Sequence, residues 1–294
     1  SLEIAREERR LLSGLDYRNG CSLYVGIPFC PTTCLYCSFT SYPIAKWSGR
    51  LDEYLDALEQ ELMLTREYLG EKELQTIYVG GGTPTSLPED KLERLMEMIC
   101  RIFDRKDLRE FTVEAGRPDT ITAEKLAVLA RRGCSRVSVN PQTMQDAVLE
   151  RMGRAHRADD ILRAYALARE SGIGCINMDL IAGLPGDSAE GFRASLEQVL
   201  DLGPENVTVH TLALKKGSRL MEQGGALPSG EETARMLDYS LERLSGKGYL
   251  PYYLYRQKYM SGSLENVGWC LSGQESVYNI VMMEELQTVV SIGG

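Results

Sequence analysis

At 294 residues, 43% of them hydrophobic, the chain can bury one large core, and α/β barrels of this size form single domains. No apolar run approaches the ~20 residues of a membrane helix, and the opening twenty, with Glu3, Arg6, Glu7, Glu8, Arg9 and Arg10, are too charged for a signal peptide. A net charge of −9 argues against a broad nucleic-acid footprint, and eight cysteines in such a chain point to a reducing, cytoplasmic compartment and metal chemistry.

Residues 1–20 read as a charged helical segment. Strand-like runs follow at Ser22–Ile27, Thr76–Val79, Glu110–Glu114, Arg136–Asn140, Cys175–Ile181 and Asn206–Leu212, each closed by Gly, Pro or Asn punctuation. Helical stretches alternate with them: Leu51–Leu69, Glu89–Phe103, Ala123–Arg131, Ala158–Ser171, Ala189–Leu202 and Glu231–Leu244. In the longest, Leu51, Leu55, Leu58, Leu62 and Leu69 share one face. Six strand–helix units in series demand a parallel sheet with right-handed crossovers. Six are too few for a closed eight-unit barrel, so the expectation is an α/β fold, an open partial (β/α)6 barrel over residues 21–246. Chemistry in such folds sits at the C-terminal ends of the strands. Residues 247–294 read as a smaller α+β region over the barrel mouth, with Tyr249–Tyr255 and predicted strands Val277–Met282 and Leu286–Ile292. Ser1 is not an initiator methionine and the last strand-like run meets Gly293-Gly294 uncapped, so both ends are expected to continue in a longer protein.

Directly after the first strand come Cys30, Cys34 and Cys37, in the order C-x3-C-x2-C, with Pro28 and Pro31 stiffening the loop. Three thiolates this close can hold three irons of a cubane cluster and leave the fourth open to a small molecule. Zinc would want a fourth ligand at comparable spacing. The nearest other cysteine, Cys21, lies across an apolar strand, and the chain has only two histidines, His156 and His210. On spacing alone, zinc and inert thiols stay open as alternatives.

Gly80-Gly81-Gly82-Thr83-Pro84-Thr85 follows the second strand. Three glycines let backbone approach a ligand closely, although a tight strand-to-helix turn explains them equally well. Glu114 and Gln142 end strands three and four. Asp179 sits in an otherwise apolar strand five, where a carboxylate is costly unless paired or functional. Cys100 and Cys175 fall on apolar faces and read as core. His210 reads as structural or catalytic with equal weight, and His156 is assigned no role.

Together, Tyr24-Val25-Gly26-Ile27-Pro28-Phe29, the cysteine triplet and Asn177-Met178-Asp179-Leu180-Ile181-Ala182-Gly183-Leu184-Pro185 resemble the radical S-adenosylmethionine (SAM) enzymes. The resemblance narrows to the oxygen-independent coproporphyrinogen III oxidase family, related to HemN and HemW, and runs from about Cys21 to the C-terminus. It implies a radical SAM barrel with one [4Fe–4S] cluster on Cys30, Cys34 and Cys37 and one or two SAM molecules. In that family the open iron chelates SAM, and one electron cleaves it to methionine and a 5′-deoxyadenosyl radical. The resemblance carries SAM contacts onto Tyr24, Tyr36, Gly81, Gly82, Thr83, Glu114, Gln142, Arg154, Asp179 and Ala213; it names no catalytic side chain. It further implies oxidative decarboxylation of tetrapyrrole propionates in heme biosynthesis, with a reductant such as flavodoxin or ferredoxin. A heme or tetrapyrrole carrier that keeps the cluster, or a radical enzyme acting on another tetrapyrrole, are the alternatives.

The departures bear on substrate. The oxidases have His where this chain has Gly26 and Cys where it has Phe39. The heme chaperones carry a His-Asn motif where this chain has Glu265-Asn266-Val267-Gly268-Trp269. With Tyr255-Arg256-Gln257-Lys258 before it, that segment is most similar to a third, HemZ-like branch. Lys215, Lys216, Arg219, Arg256 and Lys258 are the local cations expected to meet an anionic tetrapyrrole.

Overall fold

A computed structural model describes residues 4, 9–10, 12–39, 41–215, 217–223, 227–255 and 265–293. In chain order the principal elements are β1 (Gly20–Ile27), α1 (Leu51–Leu69), β2 (Glu73–Gly81), α2 (Glu89–Ile102), β3 (Glu110–Glu114), α3 (Ala123–Arg131), β4 (Arg136–Ser138), α4 (Asp146–Arg151), α5 (Ala158–Glu170), β5 (Cys175–Ala182), α6 (Ala189–Leu202), β6 (Asn206–Thr211), α7 (Arg219–Gln223), α8 (Gly230–Gly246), β7 (Leu250–Tyr255), β8 (Asn266–Cys270), α9 (Val277–Met283) and β9 (Thr288–Ile292). Of the expected N-terminal helical segment, residues 1–3, 5–8 and 11 lie outside the described residues; 4, 9, 10 and 12 are helical, but 13–19 are turns and irregular chain leading into β1, so the helix does not extend over the whole segment. None of the described helices is long and apolar enough to cross a membrane.

Local chemistry explains the helices. In α1 the buried residues Leu51, Leu55, Leu58, Leu62 and Leu69 recur at helical spacing, Asp52 and Glu53 face the positive N-terminal end, and Gly70 ends the helix at φ +57°. Thr122, Ser188 and Ser229 cap α3, α6 and α8 by accepting a first-turn amide on their side-chain oxygens. Gly203 closes α6 in the left-handed conformation.

The strands form one sheet in the order β9-β1-β2-β3-β4-β5-β6-β8-β7. β1 to β6 run parallel in sequence order, as the alternation of strands and helices predicts. The edge strands β9 and β7 do not pair with each other, so the barrel is open. Period-two alternation divides each strand. Leu23, Val25, Ile27, Ile77, Val79, Phe111, Val113, Met178, Leu180, Val207 and Val209 join the leucines of the helices in the core. The intervening residues Tyr24, Tyr78, Glu114, Asn177, Asp179, Thr208 and His210 line an interior cavity.

The C-terminal region corrects one expectation. Val277–Met283 is a helix, not a strand. Its β-branched residues favour a strand, but its N-terminus is seated on a buried carboxylate. Glu110 Oε1 accepts from Ser276 Oγ at 2.8 Å and Oε2 from the Val277 amide at 2.7 Å, while Ser276 Oγ also accepts from Asn279 N at 3.2 Å. An anion and a serine cap at a helix start outweigh a modest propensity. The Leu286–Ile292 run forms a shorter strand, Thr288–Ile292, parallel to β1. The Glu265–Trp269 segment, read only as a motif, supplies β8, antiparallel to β6.

Candidate active site

The cavity at the C-terminal ends of the parallel strands has a volume of about 620 Å³. Cys30, Cys34, Cys37, Tyr24, Tyr36, Gly81, Gly82, Thr83, Glu114, Gln142, Arg154, Asp179 and Ala213 all line it. These positions are scattered over the chain and meet only because parallel strands end on the same side.

The cysteine loop is clamped from several sides. The amides of Gly82 and Thr83 donate to Ile27 O and Phe29 O, each at 2.7 Å. The Leu35 amide donates to Met152 O at 3.1 Å, and Leu35 O accepts from the Leu220 amide at 2.8 Å. Thr32 Oγ1 donates to Gly153 O at 3.2 Å. The glycine run therefore has a packing duty. A Cβ on Gly82 would stand 2.6 Å from Phe29 O, and Gly81, at φ +100°, would press its own against Ile27. With both amides engaged, what Gly82 and Thr83 can offer a ligand is carbonyl oxygen and the Thr83 hydroxyl, which lies 3.4 Å from Cys30 Sγ.

Burial pushes the thiols of Cys30 and Cys37 above their ordinary range; the Thr83 hydroxyl partly offsets this at Cys30. Two buried cations stand nearby. Arg117 Nη1 is 3.7 Å from Cys34 Sγ. Arg154 donates from Nη1 to Asn140 O at 2.9 Å, and its guanidinium lies beside Tyr36 and Cys34. Arg154 is only 8% exposed, a buried rather than a surface arginine.

Across the cavity Asp179 Oδ1 accepts from Asn177 Nδ2 at 2.7 Å, and Oδ2 is 3.6 Å from His210 Nε2. Burial acts to raise this carboxyl, but His210 and Asn177 outweigh it and hold it below the ordinary range. Glu114 behaves oppositely: burial, helped by the Asp179 charge, pushes it up to about 7 despite the hydroxyl of Tyr78, which donates to Oε1 at 2.5 Å. Gln142 adopts φ 69°, its amide donating to Asp179 O and its carbonyl accepting from the Ile181 amide, both at 2.9 Å. A non-glycine in this region is an unusual backbone choice, and it sits at the cavity.

Beside Tyr24, several lining residues carried no sequence signal, among them Tyr78, Tyr253, Tyr278 and Asn279. Tyr24, Tyr78 and Tyr278 stack with centroid separations of 5.9 Å between the first two and 4.4 Å between the last two. Tyr253 and Tyr255 form a second parallel pair at 6.3 Å, and Tyr255 OH is 3.1 Å from His210 Nδ1. Tyr278, Asn279, Met282 and Met283 bring α9 over the mouth. Of the expected cations, Lys215 lines the cavity with Nζ 5.5 Å from the Phe39 ring, and Arg219 is exposed at the start of α7. Lys216, Arg256 and Lys258 lie outside the described residues. Cys21, Cys134, Cys175 and Cys270 are buried and Cys100 is half-buried.

The donor set fits an iron–sulfur cluster with an organic ligand. Each thiolate of a cubane binds its own iron, so three sulfurs need only surround a shared volume. Among the described residues no three His, Cys, Asp or Glu groups converge closely enough to hold a single metal ion. Arg154 Nε and Asn140 Oδ1, both on residues lining the cavity, are buried without a partner, as groups awaiting a polar ligand would be.

Comparison with known proteins agrees. The family model of the radical SAM superfamily matches residues 24–199. The oxygen-independent coproporphyrinogen-III oxidase-like protein HemZ of Bacillus subtilis is 47% identical over 277 residues, covering 92% of this chain and 55% of that protein. The heme chaperone HemW of the same organism is 40% identical over 236 residues, 79% of this chain and 62% of that protein. The chain thus spans little more than half the length of these relatives. Among solved structures, coproporphyrinogen III oxidase (HemN) from Escherichia coli superposes with a TM-score of 0.77 at 24% identity, covering 97% of this chain and 66% of that one, which establishes the fold.

Proposed function

The chain belongs to the radical SAM superfamily, and from that premise we propose that it is an oxidoreductase acting on the propionate side chains of a tetrapyrrole. A [4Fe–4S] cluster and SAM are the cofactors membership brings, and the chemistry they supply when bound is one-electron cleavage of SAM and hydrogen-atom abstraction. In this reading Cys30, Cys34 and Cys37 hold the cluster. Arg154, Gln142, Glu114 and Asp179 orient SAM beside it from four different strand or loop positions, and the clamped loop keeps that geometry fixed. The closing helix α9 and the tyrosine walls exclude water.

The observation that carries the reading is the meeting of three thiols and an aromatic cavity at one barrel mouth. The stack of Tyr24, Tyr78 and Tyr278 and the pair Tyr253 and Tyr255 offer flat faces suited to a macrocycle, and Lys215 offers a cation for a carboxylate. Loss of a propionate carboxyl as CO2, with one hydrogen atom abstracted and one electron passed to a one-electron acceptor distinct from the reductant, would leave a vinyl group. The reductant is a low-potential carrier such as flavodoxin or ferredoxin, and the setting is cytoplasmic heme biosynthesis. A second reading, a tetrapyrrole carrier that retains the cluster, draws support from the 40% identity to a heme chaperone.

Anaerobic incubation with dithionite, SAM and coproporphyrinogen III separates the two. The oxidoreductase reading expects vinyl-bearing product and 5′-deoxyadenosine in step. Stable heme binding with no vinyl product would overturn it in favour of the carrier.

A further inference from the structure

Arg117 lies between β3 and α3, far in sequence from the cysteine loop, yet its side chain is only 3% exposed and reaches that loop. Its donors divide into two sets. Nε and Nη2 form a fork on Asp119, to Oδ1 at 3.0 Å and Oδ2 at 3.1 Å. That fork fixes the plane of the guanidinium. Nη1 is thereby aimed at the linker between the first two cysteines, donating to Thr32 O at 3.3 Å and Thr32 Oγ1 at 3.1 Å, with Cys34 Sγ at 3.7 Å. Asp119 is itself held by His156, whose Nδ1 is 3.3 Å from Oδ1.

Resting on the cluster reading above, we propose that Arg117 is an electrostatic positioning residue for the cluster, which both pins the Cys30–Cys34 linker and raises the reduction potential by holding a positive charge against the Cys34 sulfur. A reduced cluster carries one more negative charge than an oxidised one. A buried cation and an N–H donor at a ligand sulfur stabilise the reduced form more, and such contacts are among the determinants of cluster potential. Asp119 opposes the effect, because its carboxylate neutralises part of the guanidinium charge while fixing its direction. Removing the cation and removing its counter-ion should therefore move the potential in opposite directions. A residue that only props the loop would give no such sign reversal.

The test uses the full chain, anaerobically reconstituted, as wild type, R117Q, R117K and D119N. Iron analysis establishes loading, and EPR-monitored potentiometry measures the midpoint. In R117Q the ratio of reduced to oxidised cluster, poised at the wild-type midpoint, is expected to fall about tenfold, a shift of about 59 mV for a one-electron couple. R117K should fall less, since the charge stays while the fork is lost. D119N should move the ratio upward. Loaded R117Q and D119N that shift in the same direction, or not at all, overturn the proposal. Should R117Q fail to load, an unmoved or lowered D119N overturns it alone, and a raised D119N sustains it. A wild type that takes up no iron–sulfur cluster removes the reading beneath it, an outcome that iron analysis reports before any potential is measured.

Discussion

Glu114 and Asp179 share one cavity and answer it differently. Asp179 has donors in His210 and Asn177; Glu114 has Tyr78, but also deep burial and the Asp179 charge beside it. With a carboxyl pushed up to about 7, against an ordinary value of roughly 4.3, the folded chain holds a proton on Glu114 that the unfolded chain has lost. Between those two pH values the native state binds more protons, so this residue's contribution falls as pH rises and is constant above about 7. Glu114→Gln should flatten that decline: urea unfolding of the apo protein between pH 5 and 8 should show a wild-type loss that the variant lacks. Equal slopes would place the Glu114 carboxyl in the ordinary range. Asp179→Asn should weaken SAM binding by roughly tenfold or more, about one charge-assisted hydrogen bond, with the cluster still assembled. A variant that loses its iron and unfolds would make the residue structural. Both carboxylates were legible from strand position and from the family resemblance. Tyr78 and Arg117 were not, because an ordinary-looking tyrosine or arginine becomes informative only once its strand neighbours and its burial are known.

Elements with strong internal signals were legible: α1, α3 and α6 carry caps and apolar periodicity within their own residues. The exception, α9, takes its start from Glu110, a residue far upstream that no local pattern reveals. Glu110 is buried and accepts from Thr112 Oγ1, Ser276 Oγ and the Val277 amide, with Arg136 Nε 3.9 Å away. Replacing it with alanine strips three donors of their partner and leaves a buried arginine without its counter-charge. Glu110→Ala should cost about 3 kcal/mol in denaturant unfolding. It should also loosen α9, seen as faster amide exchange over residues 277–283. A loss below about 1 kcal/mol with unchanged exchange would show that the packing of Tyr278, Ile280 and Val281 alone holds the helix.

At the scale of the whole molecule, the parallel order β1 to β6 followed from simple alternation and right-handed crossovers. How the C-terminal strands attach did not. They divide between both edges, with β8 and β7 beyond β6 and β9 beside β1, and chain order does not say which edge a late strand will choose. β9 is bound there by long-range contacts: the Gly293 amide donates to Glu61 Oε2 at 2.9 Å, and Tyr54 OH donates to Gly293 O at 3.1 Å. The result holds the cysteine loop and the residues that face it in one frame, the frame that would bind a cluster with SAM beside it. The most direct test is iron content and the EPR spectrum of the anaerobically reconstituted, reduced chain, with and without SAM, for wild type and Cys34→Ala. Wild type should carry about four irons per chain and give a spectrum that changes when SAM is added, and Cys34→Ala should show neither property. Zinc held in place of iron, or a cluster signal indifferent to SAM, would contradict a SAM-binding cluster there.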